Sequence, residues 1–195
     1  MDDIVKQAMA KWPNVPHCYG WLALDARGNW RMRDEAAQRA NAPGDKLTNA
    51  ALVGFINRNY AHDDKGCWYF QNGPQRVYVN LEATPFIART DPAQGFVLQT
   101  GQALGAPEAV CMTDAGALIL QAGEIVAQLD DRDMAQVLAR MELGGQPASL
   151  EAVMAWLEDD ADELALALPD GRVRVERLSA EALPRRFGYV QAPGT

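Results

Sequence analysis

The spacing of apolar and polar residues predicts a helix and then a hairpin at the start of the chain. Apolar residues from Ile4 to Trp12 recur at helical steps, which predicts a helix over residues 2–12. Pro13 should end this helix, because the residue before a proline disfavours the helical basin. Aromatic residues then flank a glycine-containing turn in segment 19–33, a pattern typical of a β-hairpin.

A second helix and a second hairpin follow. Residues 34–46 are polar and predict a loop or a short exposed helix. Apolar residues from Leu47 to Tyr60 fall at helical spacing, and Asp45 or Thr48 is available as the N-cap. Two β-prone runs around a glycine turn predict a hairpin over 67–81. We expect this hairpin to pair in space with the first one.

The second half predicts short strands, two helices and a hairpin. Residues 84–92 carry two prolines and predict a linker or crossover, within a junction near 84–95. The predicted strands lie at 96–99, 109–112, 117–120 and 125–129. A helix capped by Asp130 is predicted to run through Met141, with Gly144-Gly145 ending it.

The last fifty residues predict one more helix and one more hairpin. Ser149 is the predicted cap of a helix that extends to Leu157, and residues 158–163 form an acidic break. A hairpin is predicted over 164–177, and residues 184–190 are predicted to dock as an edge strand.

These elements predict an α+β fold of antiparallel β-hairpins with packed helices, in two compact halves. Residues 1–90 form the first half, ordered helix, hairpin, helix, hairpin, and residues 91–195 form an acidic second half. The first half contains 11 Lys and Arg against 9 Asp and Glu, and the second contains 7 against 17. An acidic surface repels the phosphate backbone, so nucleic acid is an unlikely partner.

Composition places the chain among soluble globular proteins. Hydrophobic residues make up 48% and charged residues 23%, and no apolar run is long enough to cross a bilayer. Cys18, Cys67 and Cys111 are an odd number at wide spacing, which argues against a disulfide framework. The N-terminus lacks a signal-peptide pattern. We therefore expect a cytoplasmic protein with no membrane association.

Four residues are candidates for catalysis: His17, Cys18, His62 and Cys67. Their spacing matches none of the usual zinc patterns, so we predict no metal site and no cofactor. A catalytic cysteine needs a nearby base and a lowered pKa, and the sequence shows neither. The simpler interpretation is that Cys18 and Cys67 are small buried residues at the starts of strands.

Aromatic and arginine residues predict a binding surface in the first half, because such residues are favoured at binding hot spots. This surface comprises Trp12, Trp21, Arg27, Trp30, Arg31, Trp68 and Tyr78. The competing interpretation places Trp21 and Trp30 in the core. Our leading hypothesis is a non-enzymatic binding or accessory module for an unknown protein or small-molecule ligand. The alternatives are an enzyme that uses cysteine and histidine, and a self-associating protein such as a homodimer.

Several short segments resemble an uncharacterised proteobacterial family of small proteins without an assigned function. They are Lys11–Pro16, Cys18–Leu22, Arg27–Met32, Trp68–Gly73 and Arg76–Val79. The resemblance covers the first half and the start of the second. It implies a bacterial cytoplasmic protein, and it supplies no catalytic residues.

Overall fold

A computed structural model of the chain describes residues 1–159 and 162–194. The chain groups into two compact units. The first comprises Met1–Pro85 together with the C-terminal residues from Phe187, and the second comprises Phe86–Arg186. The units thus divide at Pro85, whereas the sequence suggested residue 90, and the last residues lie in the first unit. Both units combine sheets with helices, which confirms the α+β class.

The first unit contains one mixed sheet. Its strands are β1 (Cys18–Leu24), β2 (Trp30–Met32), β3 (Asp45–Lys46), β4 (Tyr60–His62), β5 (Trp68–Asn72) and β6 (Gln75–Leu81). Within the described residues these six strands have the order β3-β2-β1-β6-β5-β4. The β1–β2 and β5–β6 hairpins are antiparallel, and β1 pairs with β6 in parallel. Both predicted hairpins and their pairing in space are confirmed.

Three helices accompany this sheet: α1 (Asp3–Lys11), α2 (Glu35–Arg39) and α3 (Ala50–Arg58). The α1 helix ends before Pro13 as predicted, and α2 is the short exposed helix. The predicted caps of α3 are wrong, because the side chain of Asn49 accepts the Leu52 N–H at 3.0 Å and starts the helix there. Tyr60 does not continue the helix but begins β4.

The second unit contains a larger sheet. Its strands are β7 (Phe86–Asp91), β8 (Gly95–Leu98), β9 (Ala109–Thr113), β10 (Leu118–Ala122), β11 (Ile125–Leu129), β12 (Met141–Leu143), β13 (Gln146–Pro147), β14 (Leu164–Leu168) and β15 (Gly171–Leu178). In the part of the chain that is described, these nine strands have the order β13-β12-β14-β15-β9-β10-β11-β7-β8. The helices are α4 (Met134–Leu138), α5 (Leu150–Glu158) and α6 (Leu183–Phe187).

The predictions for the second half differ from the structure in three places. The segment 84–92 contains the division between the units, at Pro85, but most of it is not a linker, because β7 begins at Phe86 and its Ile87 and Ala88 are buried. The helix from Asp130 ends at Leu138, since Met141 is buried and pairs with Leu166 as part of β12. Gly144 and Gly145 accordingly turn β12 into β13 rather than ending a helix.

The C-terminal segment also differs from the prediction. Residues 184–190 are not an edge strand, because α6 occupies Leu183–Phe187 and only Val190 forms an isolated bridge, to Cys67. Ser149 caps α5 as predicted, and β14 and β15 form the predicted hairpin. Of the acidic break at 158–163, residues 160 and 161 lie outside the described part of the chain.

The two sheets share a topology that the sequence does not reveal as a repeat. The order β4-β5-β6-β1-β2-β3 in the first unit corresponds to β12-β14-β15-β9-β10-β11 in the second. In each case the first strand of the set pairs in parallel with the last, β1 with β6 and β9 with β15. The same β-sheet plan is therefore used twice.

None of the helices in the described residues has the length and apolar character needed to cross a membrane.

Candidate functional site

Two members of the predicted aromatic surface belong to the core of the first unit. Trp30 is 2% exposed and Tyr78 is 5% exposed. The indole of Trp30 donates to the side-chain oxygen of Asn57 at 2.7 Å and meets the ring of Tyr60 edge to face. Trp30 and Tyr78 make their contacts inside the unit. They are therefore not part of an exposed binding surface, contrary to the prediction.

The other predicted members are more accessible but differ in their surroundings. Trp12 is 51% exposed beneath the ammonium group of Lys11, and Trp21 is 40% exposed. Arg27 is exposed, whereas Trp68 is half-buried against the rings of Tyr60 and His62. Arg31 is paired with Asp25 at 2.7 Å. The indoles that remain exposed are at the end of α1 and on β1.

A cluster of tyrosines fills the space beside Tyr78. Tyr19 stacks on Tyr78 with ring centroids 4.7 Å apart, and His17 meets the same ring at its edge. The hydroxyl of Tyr78 donates to the carboxylate of Asp63 at 3.0 Å. The guanidinium of Arg76 lies over the ring of Tyr69, 4.4 Å from its centroid. These contacts describe a packed polar-aromatic layer rather than an open site.

The four candidate catalytic residues do not form a nucleophile and base pair. Among the described residues, no hydrogen bond joins a histidine to a cysteine, and no group of three or more Cys, His, Asp and Glu is placed to hold a metal ion. His62 instead contacts the carbonyl of Asp63 through Nδ1 at 3.0 Å.

The electrostatics of the thiols also oppose nucleophilic chemistry. Burial raises the pKa of the Cys18 thiol. Burial and then the negative charge of Asp63 raise the pKa of Cys67. In the second unit, burial and then Glu176 raise the pKa of Cys111. A raised pKa leaves less thiolate at neutral pH, and the thiolate is the nucleophile.

A concave site lies in the second unit, where sequence reasoning predicted none. Its cavity has a volume of about 940 Å³. One wall is formed by the end of β7, the turn after it and the start of β8, and the opposite wall is formed by the β14–β15 turn. Apolar groups dominate the lining, and they include Pro92, Phe96, Pro107, Leu168 and Val173.

Arg140 is a charged residue in the lining of this cavity. It follows α4 and precedes β12, and its Nε and one terminal nitrogen donate to the carbonyl of Ala167 at 3.1 and 3.0 Å. The guanidinium carbon lies 5.5 Å from the ring centroid of Phe96. Within the described residues Arg140 has no acidic partner. The sequence placed Arg140 inside a helix, so no local signal marked it as a cavity residue.

The carboxylates of the lining leave Arg140 uncompensated. Asp91 accepts the N–H groups of Ala93 and Gln94 at 2.9 and 2.8 Å, which holds its carboxylate in the β7–β8 turn. Asp170 is exposed at the tip of the opposite turn. Arg140 therefore presents its remaining N–H donors and its charge to an otherwise mainly apolar space.

Comparison with known proteins places the fold but not the chemistry. The sequence profile of a family described as "Protein of unknown function (DUF2946)" matches residues 1–194. No curated protein matches the chain. A DUF1285 family protein from Silicibacter pomeroyi DSS-3 is similar in structure, with 14% identity over 88% of this chain and 87% of that chain and a TM-score of 0.51.

A second solved structure is less similar. A DUF1285 family protein from Shewanella baltica OS155 has 14% identity over 60% of this chain and 88% of its own, with a TM-score of 0.41. The first similarity shows a shared fold, and any function has to be argued from the residues of this chain.

Proposed function

The chain belongs to the family described as "Protein of unknown function (DUF2946)". We propose that it is a binding module whose second unit takes up a small molecule. The ligand has an apolar body and an acidic group. The observation that carries the proposal is a mainly apolar cavity whose lining includes an arginine that has no acidic partner among the described residues.

The size and lining of the cavity suit a small organic ligand. Ligand sites in proteins usually measure about 300 to 1,000 Å³ and are mainly apolar with a few oriented polar groups. The volume of about 940 Å³ lies in this range. Pro92, Leu168 and Val173 belong to the apolar part of the lining, so a ligand in the cavity would bury its hydrocarbon part against them.

Arg140 supplies orientation and charge selectivity. A guanidinium has several N–H donors in one plane, and the two nitrogens that bind Ala167 leave the other donors unused. Carboxylates and sulfonates accept such donors in a bidentate manner. A hydrogen bond to a charged group is worth about 1.5 to 3 kcal/mol, which corresponds to roughly a 10-fold to 100-fold preference for an acidic over a neutral ligand.

A fluorescence titration with 8-anilinonaphthalene-1-sulfonate tests the proposal, because this probe combines an aromatic body with a sulfonate and brightens in apolar surroundings. We expect saturable binding that Arg140→Gln weakens at least tenfold. Arg174→Gln is the matched control, since Arg174 is an exposed arginine of β15 outside the cavity lining. Ala106→Trp, which inserts an indole at the cavity wall, should also abolish binding.

Two results would overturn the proposal. One is probe binding that is equally strong in the Arg140→Gln and Arg174→Gln variants. The other is probe binding that persists when Ala106→Trp fills the cavity. Thermal unfolding of each variant establishes that it is folded, so a loss of binding reports on the cavity and not on the stability of the unit.

We also propose a bacterial cytoplasmic location. Cys18, Cys67 and Cys111 are free thiols. Free thiols are common in reducing compartments, where disulfides are rare. Fractionation of cells that express the chain with a C-terminal epitope tests this, and recovery in an extracytoplasmic fraction would contradict it.

A further inference from the structure

A second cavity, of about 410 Å³, lies in the first unit and has a distinct construction. Its floor is a row across three strands of the sheet. Ala23 on β1 pairs with Arg31 on β2 and with Asn80 on β6, so the three side chains project from the same face. The single methyl group of Ala23 leaves a hollow between the two longer side chains, and loop residues 41–43 form one wall.

Arg33 is a buried charge in this cavity. It is 7% exposed, and its guanidinium donates to the carbonyl of Ala42 at 3.0 Å and to the side-chain oxygen of Asn41 at 3.2 Å. Both acceptors are neutral. In the described part of the chain no carboxylate lies within ion-pair distance of Arg33. A buried cation without a counter-charge is costly, and the unused N–H donors of Arg33 suit a carboxylate.

Asp25 does not provide that counter-charge. Arg31 donates to its Oδ2 at 2.7 Å, and the backbone N–H groups of Arg27 and Asn29 donate to its Oδ1 at 3.0 and 2.8 Å. Burial alone would raise the pKa of Asp25, but the hydrogen bonds from Asn29, Arg31 and Arg27 together lower it. Asp25 is thus an ionised carboxylate whose oxygens are already occupied.

The lining of the cavity also includes an unpaired side-chain oxygen and a carboxylate. The side-chain oxygen of Asn80 is buried and has no hydrogen-bond partner among the described residues. Glu82 lies at the exposed rim, where its Oε2 accepts the Ala26 N–H at 3.0 Å and its charge is not paired with a cation in the described residues. A buried acceptor without a donor is unfavourable, so a ligand that brings an N–H or O–H group to Asn80 would relieve this cost.

We propose that this cavity binds a small zwitterion with a carboxylate and an ammonium group, that is, a free amino acid. The carboxylate of the ligand pairs with Arg33. The ammonium group donates to the side-chain oxygen of Asn80 and is attracted by Glu82. This one ligand class satisfies the buried cation, the buried acceptor and the rim carboxylate together, whereas a simple anion satisfies Arg33 alone and is repelled by Glu82.

The proposal is independent of the cavity in the second unit. The two cavities share no lining residue, and they are assigned different ligand features, because the proposal for Arg140 calls for an apolar body and an acidic group and does not call for an ammonium group. Each proposal can therefore fail without the other.

Isothermal titration of the full chain with the common free amino acids tests the assignment. We expect at least one to bind, and we expect the N-acetyl derivative and the amide of that amino acid to bind at least tenfold more weakly. Arg33→Gln should also weaken binding at least tenfold, whereas Arg39→Gln, at an exposed arginine of α2, should not. Asn80→Leu removes the side-chain oxygen that accepts from the ammonium group of the ligand while keeping Arg33, and it should also weaken binding.

Glu82→Gln separates a zwitterion from a simple anion. This change removes the rim charge while keeping a side-chain oxygen for the Ala26 N–H. Binding of a zwitterion becomes weaker, and binding of an anion such as inorganic phosphate becomes stronger. The proposal is overturned if no free amino acid binds, if the N-acetyl derivative binds equally well, or if Glu82→Gln strengthens amino-acid binding.

Discussion

The indole N–H of Trp30 donates to the side-chain oxygen of Asn57 across 2.7 Å and thereby joins β2 to α3. Trp30 is buried, and its indole has a single donor, which this bond uses. The relationship explains how a large polar aromatic residue is accommodated in the core of the first unit. It also assigns to Trp30 a structural role where its residue type alone suggested a binding role.

Replacing Asn57 with leucine should destabilise the chain because the buried indole N–H loses its acceptor. We expect the free energy of unfolding to fall by about 1 to 3 kcal/mol. The control is the same change in a Trp30→Phe background, where no indole N–H remains and the cost should be smaller. Urea unfolding of the four forms measures the coupling, and equal costs in both backgrounds would contradict the assigned bond.

Local patterns predicted those parts of the fold that depend on neighbouring residues. The hairpins of β1–β2, β5–β6 and β14–β15 each have a glycine-containing turn between β-prone runs, and α5 has its Ser149 cap. Helix ends were less predictable when several caps competed. At α3 the N-cap is Asn49 and not Thr48 or Asp45. Met141 lies in β12 because it pairs with Leu166, a residue distant in the sequence.

Neither cavity could be predicted from the sequence. Among the described residues, neither Arg33 nor Arg140 has a carboxylate within ion-pair distance, and this property depends on the folded chain. Ala23 forms a hollow only because parallel pairing brings Asn80 beside it. By contrast, the residue types of Trp30 and Tyr78 predicted a binding surface. Both side chains are buried, and this burial depends on long-range packing.

Two tyrosines of the first unit, Tyr60 and Tyr189, should respond differently to loss of the hydroxyl group. The hydroxyl of Tyr60 donates to the carbonyl of Pro85 at 2.9 Å, whereas the buried hydroxyl of Tyr189 has no partner among the described residues. Tyr60→Phe should lower the free energy of unfolding by about 1 to 2 kcal/mol, and Tyr189→Phe should leave it unchanged or raise it slightly. Chemical denaturation measures both, and a larger loss in Tyr189→Phe would refute the unpaired hydroxyl.

Tyr189 should also contribute to loss of stability at high pH. Burial raises its pKa from an ordinary value of 10.0 to about 12. The folded chain therefore favours the neutral phenol, and this contribution is complete below pH 10 and is lost as the pH rises from about 10 to 12. Tyr189→Phe should lose less stability over this interval than the parent chain. Identical alkaline profiles of the two forms would show that Tyr189 does not titrate in the way its burial requires.

Asp130 should govern acid sensitivity in the second unit. Its buried carboxylate accepts from the side chains of Arg89 and Arg132, and the hydrogen bond from Arg132 lowers its pKa far below the ordinary value of 3.8. The lowered pKa contributes stability that is complete above the ordinary value of 3.8 and is lost as the pH falls from there towards the lower pKa of the folded state. Asp130→Asn should lower the stability at pH 7 and flatten its dependence on pH below about 5.

Glu124→Gln provides the comparison for Asp130, because Glu124 is an exposed carboxylate in the β10–β11 turn. This variant should retain the pH dependence of the parent chain. Acid titration of the unfolding free energy measures all three forms. A pH dependence in Asp130→Asn as steep as that of the parent would show that the Arg132 and Arg89 contacts do not carry the effect.

The three thiols should react with an alkylating reagent only at high pH. This result separates a binding module from a cysteine enzyme, whose catalytic thiol reacts at neutral pH. Burial raises the pKa of Cys18, Cys67 and Cys111 above 9.0, and Cys111 is also shielded from solvent. Alkylation by iodoacetamide, followed by peptide mass spectrometry, should give midpoints for Cys18 and Cys67 at higher pH in the folded chain than in urea, and almost no reaction at Cys111. In urea all three should react alike. A midpoint lower in the folded chain than in urea at any of the three thiols would favour the cysteine enzyme instead, because only a lowered pKa supplies thiolate at neutral pH.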